Sequence, residues 1–388
     1  MRATSRCVTA GSTAASAEDG ILSAQAKVKI AVMGASGYTG AELLRLLLGH
    51  PRTEIVAVTS EQSAGRPVAS VFPHLASVLP LSFEPLQPET IAGRADLLFM
   101  ALPHTHSFAP VATCLKAGKR IVDLSADYRL KEASSYKDWY QTPHPHPELL
   151  KVAVYGLPEL HRTDIRTARL VASPGCYPTA AILQLAPLVA RGLVHLDTII
   201  VDAKSGLSGA GRSPALPYHF PEAHESVEAY KIGQHRHTPE IEQELGALVA
   251  RGGAEGPATG RAGEAAALRV SFTPHLVPMN RGILSTAYAR LKRASIGVED
   301  LRALYQDYYK GERFVRLQQG DTSANPRHVR GSNYLDLSVF ADTRTGWVVT
   351  VAALDNLVKG AAGQAIQAMN IMLGFPEEMG LLAPGVYP

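Results

Sequence analysis

At 388 residues the chain exceeds one ordinary domain, so two are expected, each long enough to bury its own core. Hydrophobic content of 46%, charged content of 19% and a formal charge of +3 describe a globular chain and exclude a basic nucleic-acid surface, and no apolar run reaches the length of a membrane span. Cys7, Cys114 and Cys176 are too scattered for a disulfide framework, which fits a reducing compartment.

Residues 1–26 are rich in Ala, Ser and Thr, carry two arginines and contain no acid before Glu18. They lack the apolar centre of a secretory signal. They read either as an organellar transit peptide or as a disordered tail, outside the fold in both cases.

A structured pattern opens with VKIAVMGASGYTGAELLRLLLGH (28–50). VKIAVM predicts a strand buried on both faces, AELLRLLLGH a helix, and EIVAVTS (54–60) a second strand. Between strand and helix lie the glycines at 34, 37 and 40. Such a βαβ start suits a dinucleotide: glycines let the backbone approach a pyrophosphate, and the helix N-terminus offers it N–H donors. The spacing departs from G-x-G-x-x-G, and a turn without a ligand could carry the same glycines, so the placement carries the reading. Candidate cofactor residues are Gly34, Ser36, Gly37, Tyr38, Thr39 and Gly40.

The second strand ends in Thr59–Ser60 rather than in the acid that binds ribose hydroxyls in NAD sites. Ser60, Ser63 and Arg66 suit a 2′-phosphate and predict NADP(H), although Glu61 argues the other way. ADLLFMALP (95–103), the helical SFAPVATCLKAG (107–118) and KRIVDLSAD (119–127) continue the alternation and predict a parallel α/β sheet.

SPGCYPT (173–179) sets Cys176 in a bend. Pro174–Gly175 forces a turn, and Pro178 is expected to hold its preceding residue, Tyr177, in extended geometry. TAAILQLAPLVARGL (179–193) predicts a helix, so Cys176 stands just before a helix N-terminus. There the dipole is expected to lower the thiol pKa and favour the nucleophilic thiolate. A bend that merely contains a cysteine fits these seven residues as well.

DTIIVDAKSG (197–206) predicts a strand running into SGLSGAGR (205–212), a loop flexible enough for a lid or else a plain surface loop. In YKIGQHRHTPEIEQEL (230–245), strand geometry would put His235 and His237 on one face, and Thr238 followed by Pro239 predicts a helix with Thr238 as N-cap. Two histidines at this spacing and a lone thiol do not match a zinc site, so no metal is expected. A cysteine–histidine pair in which imidazole manages the proton fits better. SFTPHLVPMNRGILSTAYARL (271–291) predicts two strands around a turn, with Arg281 placed to meet an anionic substrate. DNLVKGAAGQAIQAMNIMLGF (355–375) predicts an amphipathic helix capped by Asp355 or Asn356, whose small residues let it return to the nucleotide domain.

GASGYTG, PGCYPT, SGLSGAGR, HRHTPEI, PMNRGIL and DNLVKGAAGQA, in this order, resemble the N-acetyl-γ-glutamyl-phosphate reductases, a branch of the aspartate-semialdehyde dehydrogenase superfamily. The resemblance implies an α/β plus α+β architecture. A Rossmann-like domain would span 27–175 with 355–388, and a mixed-sheet catalytic and oligomerisation domain 176–354. It implies NADPH-dependent reduction of N-acetyl-γ-glutamyl phosphate to the semialdehyde, with release of phosphate, in arginine biosynthesis. Cys176 would be the nucleophile, His237 the acid–base residue and Glu240 the residue that orients the pair. Gly34 to Gly40 would bind the cofactor, and Asn356 would lie near the nicotinamide. Arg129, Ser205, His235 and Arg281 are the candidate substrate contacts. A homo-oligomer, dimer or tetramer, is expected, with no nucleic-acid or membrane partner. Many members have Asn where this chain has Ser173. The leader looks plant-like, which implies a plastid stroma.

Three rivals remain at this point. The sister aspartyl-phosphate reductases place asparagine and small hydroxyl residues around the cysteine, unlike Pro174–Gly175 and Tyr177–Pro178. A cysteine hydrolase or acyltransferase leaves the glycine turn unexplained. A catalytically silent dinucleotide-binding regulator would have to be silent with every catalytic residue type present.

Overall fold

The computed structural model describes residues 26–252 and 268–387, so Cys7 and nearly all of the leader lie outside the described residues. The first unit comprises β1 (Val28–Met33), α1 (Tyr38–Leu48), β2 (Thr53–Val58), β3 (Leu97–Met100), α2 (Phe108–Lys116), β4 (Arg120–Asp123), β5 (Val154–Tyr155), α3 (Pro158–Thr167) and β6 (Leu170–Ala172). Its strands form one parallel sheet in the order β2-β1-β3-β4-β6-β5. Ile30–Met33 and all of β3 are fully buried, as continuous apolar runs between two helical layers must be. The strand order reverses between β1 and β3. Ligands of such sheets bind in the crevice outside the carboxyl ends of the strands at that reversal.

The second unit comprises α4 (Cys176–Ala190), β7 (Ile200–Ser205), β8 (Glu228–Ala229), α5 (Thr238–Gly252), β9 (Ser271–Leu276), β10 (Ile283–Arg290), α6 (Val298–Tyr308), β11 (Val315–Leu317), β12 (Leu335–Asp342) and β13 (Trp347–Leu354). The strands make a mixed sheet in the order β11-β12-β13-β10-β7-β9-β8. α4 is apolar all round and buried along nearly its whole length, because α5 packs on it from one side and β10 and β13 from the other.

The two strands of 271–291 do not form the expected hairpin. β7 lies between them, parallel to β9 and antiparallel to β10. The connecting 277–282 segment straps the end of β7, where Leu207 N–H donates to Met279 O at 3.0 Å and Ser208 N–H to Asn280 O at 3.1 Å.

The last helix also differs from the expectation. A π-turn, Val358–Ala362, precedes α7 (Gly363–Leu373), and α7 is buried from Gly363 to Met372 rather than amphipathic. It is enclosed because it packs against α3, α1 and β4 of the first unit, where its small residues permit close approach. Asp355 caps this segment as expected, its Oδ1 accepting from Leu357 N–H at 2.8 Å and Val358 N–H at 3.2 Å.

Candidate active site

A groove of about 1170 Å³ runs from the glycine turn to Cys176 and His237, and a second cleft of about 330 Å³ joins it there. The glycines of the turn have different reasons to be there. Gly34 has φ +82°, and a Cβ on it would come within 2.6 Å of Ala101 O, the residue after β3. A Cβ on Gly40 would overlap the Ala35 backbone. A Cβ on Gly37 would meet nothing within 4 Å: it would project into the groove itself. That is a cradle of the kind a pyrophosphate needs, at the N-terminus of α1. Ser36, Tyr38 and Thr39 line the same groove.

Farther along, Ser60 donates to Ser36 Oγ at 2.8 Å, and Ser60 Oγ accepts from Ser63 N–H at 3.2 Å. Glu61 is tied to Leu86 N–H at 2.6 Å. Arg66 lines this end of the groove with Ser60 and Ser63. Arg212, from the SGLSGAGR segment, reaches across the mouth to Ser36 O at 2.7 Å. That segment is strapped down rather than loose, for Asn356 Nδ2 also donates to Ser208 Oγ at 3.0 Å. Asn356 lines the groove beside Cys176, and its Oδ1 accepts from Gly282 N–H at 2.7 Å.

Cys176 is the first residue of α4, with Gly175 as N-cap. Tyr177 is helical, not extended. Pro178 falls within the first turn, where a missing N–H costs no intrahelical hydrogen bond. The expected lowering of the thiol pKa is also overturned. Burial pushes the Cys176 thiol up to about 11, outweighing the Arg129 charge and the Tyr177 and Cys176 N–H groups that favour the thiolate. A Cβ on Gly360, in the π-turn, would sit 2.8 Å from Cys176 Cβ, so the thiol needs glycine there.

His235 and His237 lie in a turn, not a strand, yet their rings are 4.7 Å apart. His237, not Thr238, ends up as the cap residue, its carbonyl taking the first helical bond from Ile241 N–H at 3.1 Å. Thr238 Oγ1 is buried without a partner among the described residues. The His237 ring packs on Gly175, where a Cβ would overlap it, and so stands beside Cys176. Burial, then the neighbouring His235, Arg129, His104 and Arg236 charges, hold its pKa well below 6.5, leaving a neutral imidazole able to accept a proton.

Glu240 touches the cysteine turn rather than His237. Its Oε1 accepts from Gly175 N–H at 2.8 Å and Tyr155 OH at 2.6 Å, and its Oε2 lies 3.4 Å from Arg129 Nη1. Arg129 is buried and also donates to Ser173 O at 2.7 Å and Leu124 O at 3.0 Å. It shores up the bend before the thiol from beneath. Ser173 Oγ has no partner among the described residues.

The cleft beyond the thiol is lined by Ser205 and His235, two of the residues that the resemblance offers as substrate contacts. It also holds residues that reading missed: Tyr177, Tyr230, Lys231, Arg236 and His104. Arg236 lies between the two histidines and Lys231 four residues before the first of them, a pair of cations visible in KIGQHRH. Arg281 is not in either cavity. It is paired with Glu42 at 3.0 Å and Asp355 at 3.1 Å, so its charge is spent between α1 and the end of β13 rather than on a substrate. Among the described residues no group of His, Cys, Asp and Glu could hold a metal ion, and no helix is long and apolar enough to cross a membrane.

The semialdehyde dehydrogenase NAD-binding domain model matches residues 29–168, and the semialdehyde dehydrogenase dimerisation domain model matches 176–356. The N-acetyl-γ-glutamyl-phosphate reductase of Geotalea daltonii is 53% identical over 362 residues, covering 93% of this chain and 100% of that one. That of Pelotomaculum thermopropionicum is 49% identical over 361 residues, covering 93% and 99%. The chain belongs to the N-acetyl-γ-glutamyl-phosphate reductase family. Solved structures share the fold: aspartate semialdehyde dehydrogenase II from Vibrio cholerae, at 15% identity and TM-score 0.67, covers 90% of this chain and 99% of that one. The Candida albicans aspartate semialdehyde dehydrogenase with NADP, at 18% and 0.65, likewise covers 90% and 99%. Membership removes the hydrolase and silent-regulator rivals. The aspartyl-phosphate rival goes too, since relatives 53% and 49% identical over nearly the whole chain are N-acetyl-γ-glutamyl-phosphate reductases.

Proposed function

We propose that Cys176 and His237 act as one unit in an acyl-phosphate reduction. The enzyme reduces N-acetyl-γ-glutamyl phosphate to N-acetylglutamate semialdehyde with release of phosphate, using NADP(H), in arginine biosynthesis. The observation that carries the site assignment is the His237 ring packed on Gly175, beside Cys176, where groove and cleft meet.

His237 takes the thiol proton as Sγ attacks the acyl carbon. The bond from carbon to the phosphate oxygen breaks with its electron pair leaving on phosphate, and a thioester remains on Cys176. The hydride that reduces this thioester comes from bound NADPH. The adduct then collapses: its oxygen reforms the carbonyl, the C–S bond breaks, and sulfur recovers the proton from His237. Splitting one displacement into two steps suits a thiol, a strong nucleophile and a good leaving group. Glu240 and Arg129 hold the Pro174–Gly175 bend and thereby aim the thiol. Lys231 and Arg236 supply positive charge to the cleft for the anionic ends of the substrate. Gly34 to Gly40 and Asn356 hold the cofactor, and Ser60, Ser63 and Arg66 hold its 2′-phosphate.

The nucleotide-binding domain consists of 27–175 with 355–388, the catalytic domain of 176–354. A homo-oligomer, a dimer or tetramer, forms through the mixed sheet, a reading supported by the half-exposed Ile200 and Tyr288 on β7 and β10. The leader's composition supports delivery to the plastid stroma. The deciding experiment follows loss of nicotinamide absorbance with N-acetylglutamyl phosphate and with aspartyl phosphate, each under NADPH and NADH. Turnover with the first substrate and NADPH is expected; a preference for aspartyl phosphate overturns the assignment.

A further inference from the structure

His104 stands in the turn that leaves β3, at the carboxyl edge of the parallel sheet. Its side chain lines both the groove and the cleft, a position it shares with Cys176 and His237. Lys231 and Arg236, by contrast, line the cleft alone. The anionic ends of a substrate therefore sit to one side of His104. The carbon that must meet both thiol and hydride lies at the junction where the His104 ring is.

The tautomer of that ring is determined by its neighbours. Nδ1 accepts from Ala126 N–H at 3.0 Å, so it carries no proton of its own. Burial, followed by the Arg129, Arg236 and Lys231 charges, drops the pKa to about 3, so the ring is neutral and its single proton is on Nε2. The turn is also held at some cost. Thr105, a β-branched residue, has φ +71°, and both oxygens of Asp127 pin it, accepting from Thr105 N–H at 2.7 Å and Ser107 N–H at 2.9 Å. Strain of this sort persists only where the surroundings over-determine it, and it gathers at functional sites.

Of the N–H groups around Cys176, that of Gly175 is already taken by Glu240 Oε1 at 2.8 Å. We infer that His104 is a further catalytic residue, whose Nε2–H donates a hydrogen bond to the substrate's acyl oxygen as negative charge develops there in the thiol and hydride additions. No proton is transferred: the donor stabilises the oxyanion and keeps its hydrogen.

This inference rests on the acyl-phosphate reading, and two substitutions separate a catalytic donor from a prop for the turn. His104→Asn keeps an acceptor near the Nδ1 position and removes the outer donor; His104→Gln keeps an N–H near the Nε2 position and removes the inner acceptor. His104→Asn is expected to lower kcat by about 10²–10³, the worth of one oxyanion donor, with His104→Gln recovering all but about tenfold of it. KM for NADPH and thermal melting should be near wild type in both. The same ranking should appear in single-turnover acylation of Cys176 by acetyl phosphate, followed by mass. That arm needs neither cofactor nor the full substrate, so a wrong substrate assignment shows up as a failed steady-state assay with the acylation ranking intact. An Asn variant as active as wild type, or a Gln variant as damaged as Asn, overturns the role.

Discussion

At Cys176 the helix N-terminus draws the thiol toward ionisation and burial drives it back, and burial prevails, to about 11. The thiol therefore depends on a neighbour to ionise, and Cys176→Ser should abolish turnover while leaving NADPH binding intact, as titration of cofactor fluorescence would show. His237→Ala should lower kcat by about 10²–10⁴, and the double variant should be hardly worse than Cys176→Ser, because the two side chains form one working unit. The same pair predicts a pH profile. The competent form is neutral imidazole with protonated thiol, which exists between a His237 pKa well below 6.5 and a thiol near 11. kcat/KM should thus stay flat through neutrality, and an acid limb centred at an ordinary histidine value would mean that the imidazole is more open than it looks. Cys176 and His237 were legible because proline, glycine and histidine spacing marks a bent, rigid backbone. His104 was not: a single histidine in a turn has no periodicity, and only its place at the end of a parallel strand could have marked it.

In the first unit β1, α1, β2, β3, α2 and β4 are legible to within a few residues of their ends, since a strand buried on both faces and a glycine turn before a helix leave clear local patterns. The very short β5 and β6 and the polar α3 between them leave no such mark. Gly37 is the informative member of that turn. Gly37→Val puts a side chain where nothing lies within 4 Å of a Cβ, so the fold should survive and cofactor KM should rise severalfold or more. A folded variant with unchanged cofactor affinity would count against the groove as the dinucleotide site. Arg66→Ala should weaken NADPH more than NADH, measured as the ratio of the two KM values, and an equal loss would misplace the 2′-phosphate. In the second unit local pattern misled. His235 and His237 alternate as in a strand but sit in a turn, and 271–291 looks like a hairpin although β7 lies between its halves. Both errors have one cause. Pairing across distant segments is invisible to a reading that sees only neighbours.

Across the whole molecule, the two units are joined by charge as well as by packing. Arg281, read from sequence as a substrate contact, bridges Glu42 on α1 and Asp355 at the end of β13. Asp355 is fully buried and Glu42 nearly so; without Arg281, Glu42 keeps Arg45 at 2.7 Å, whereas Asp355 stays buried without the Arg281 charge. Arg281→Ala should therefore cost about 3 kcal/mol in denaturant unfolding, far more than a surface pair is worth. A variant as stable as wild type, with a raised substrate KM, would restore the substrate role. Sequence reading could not see this because the partners lie far apart in the chain. The return of α7 bears on how the protein is made. Val358, Ile366, Met369 and Leu381 belong to the same core as Ile30, Leu43 and Phe99, so a segment made early waits for one made much later to complete its packing. The middle of the chain, whose core is drawn from its own helices and strands, has no such wait. The order of assembly inverts the order of synthesis, and a chain stalled before residue 355 would present an unclosed nucleotide domain to whatever guards the cell against unfinished proteins.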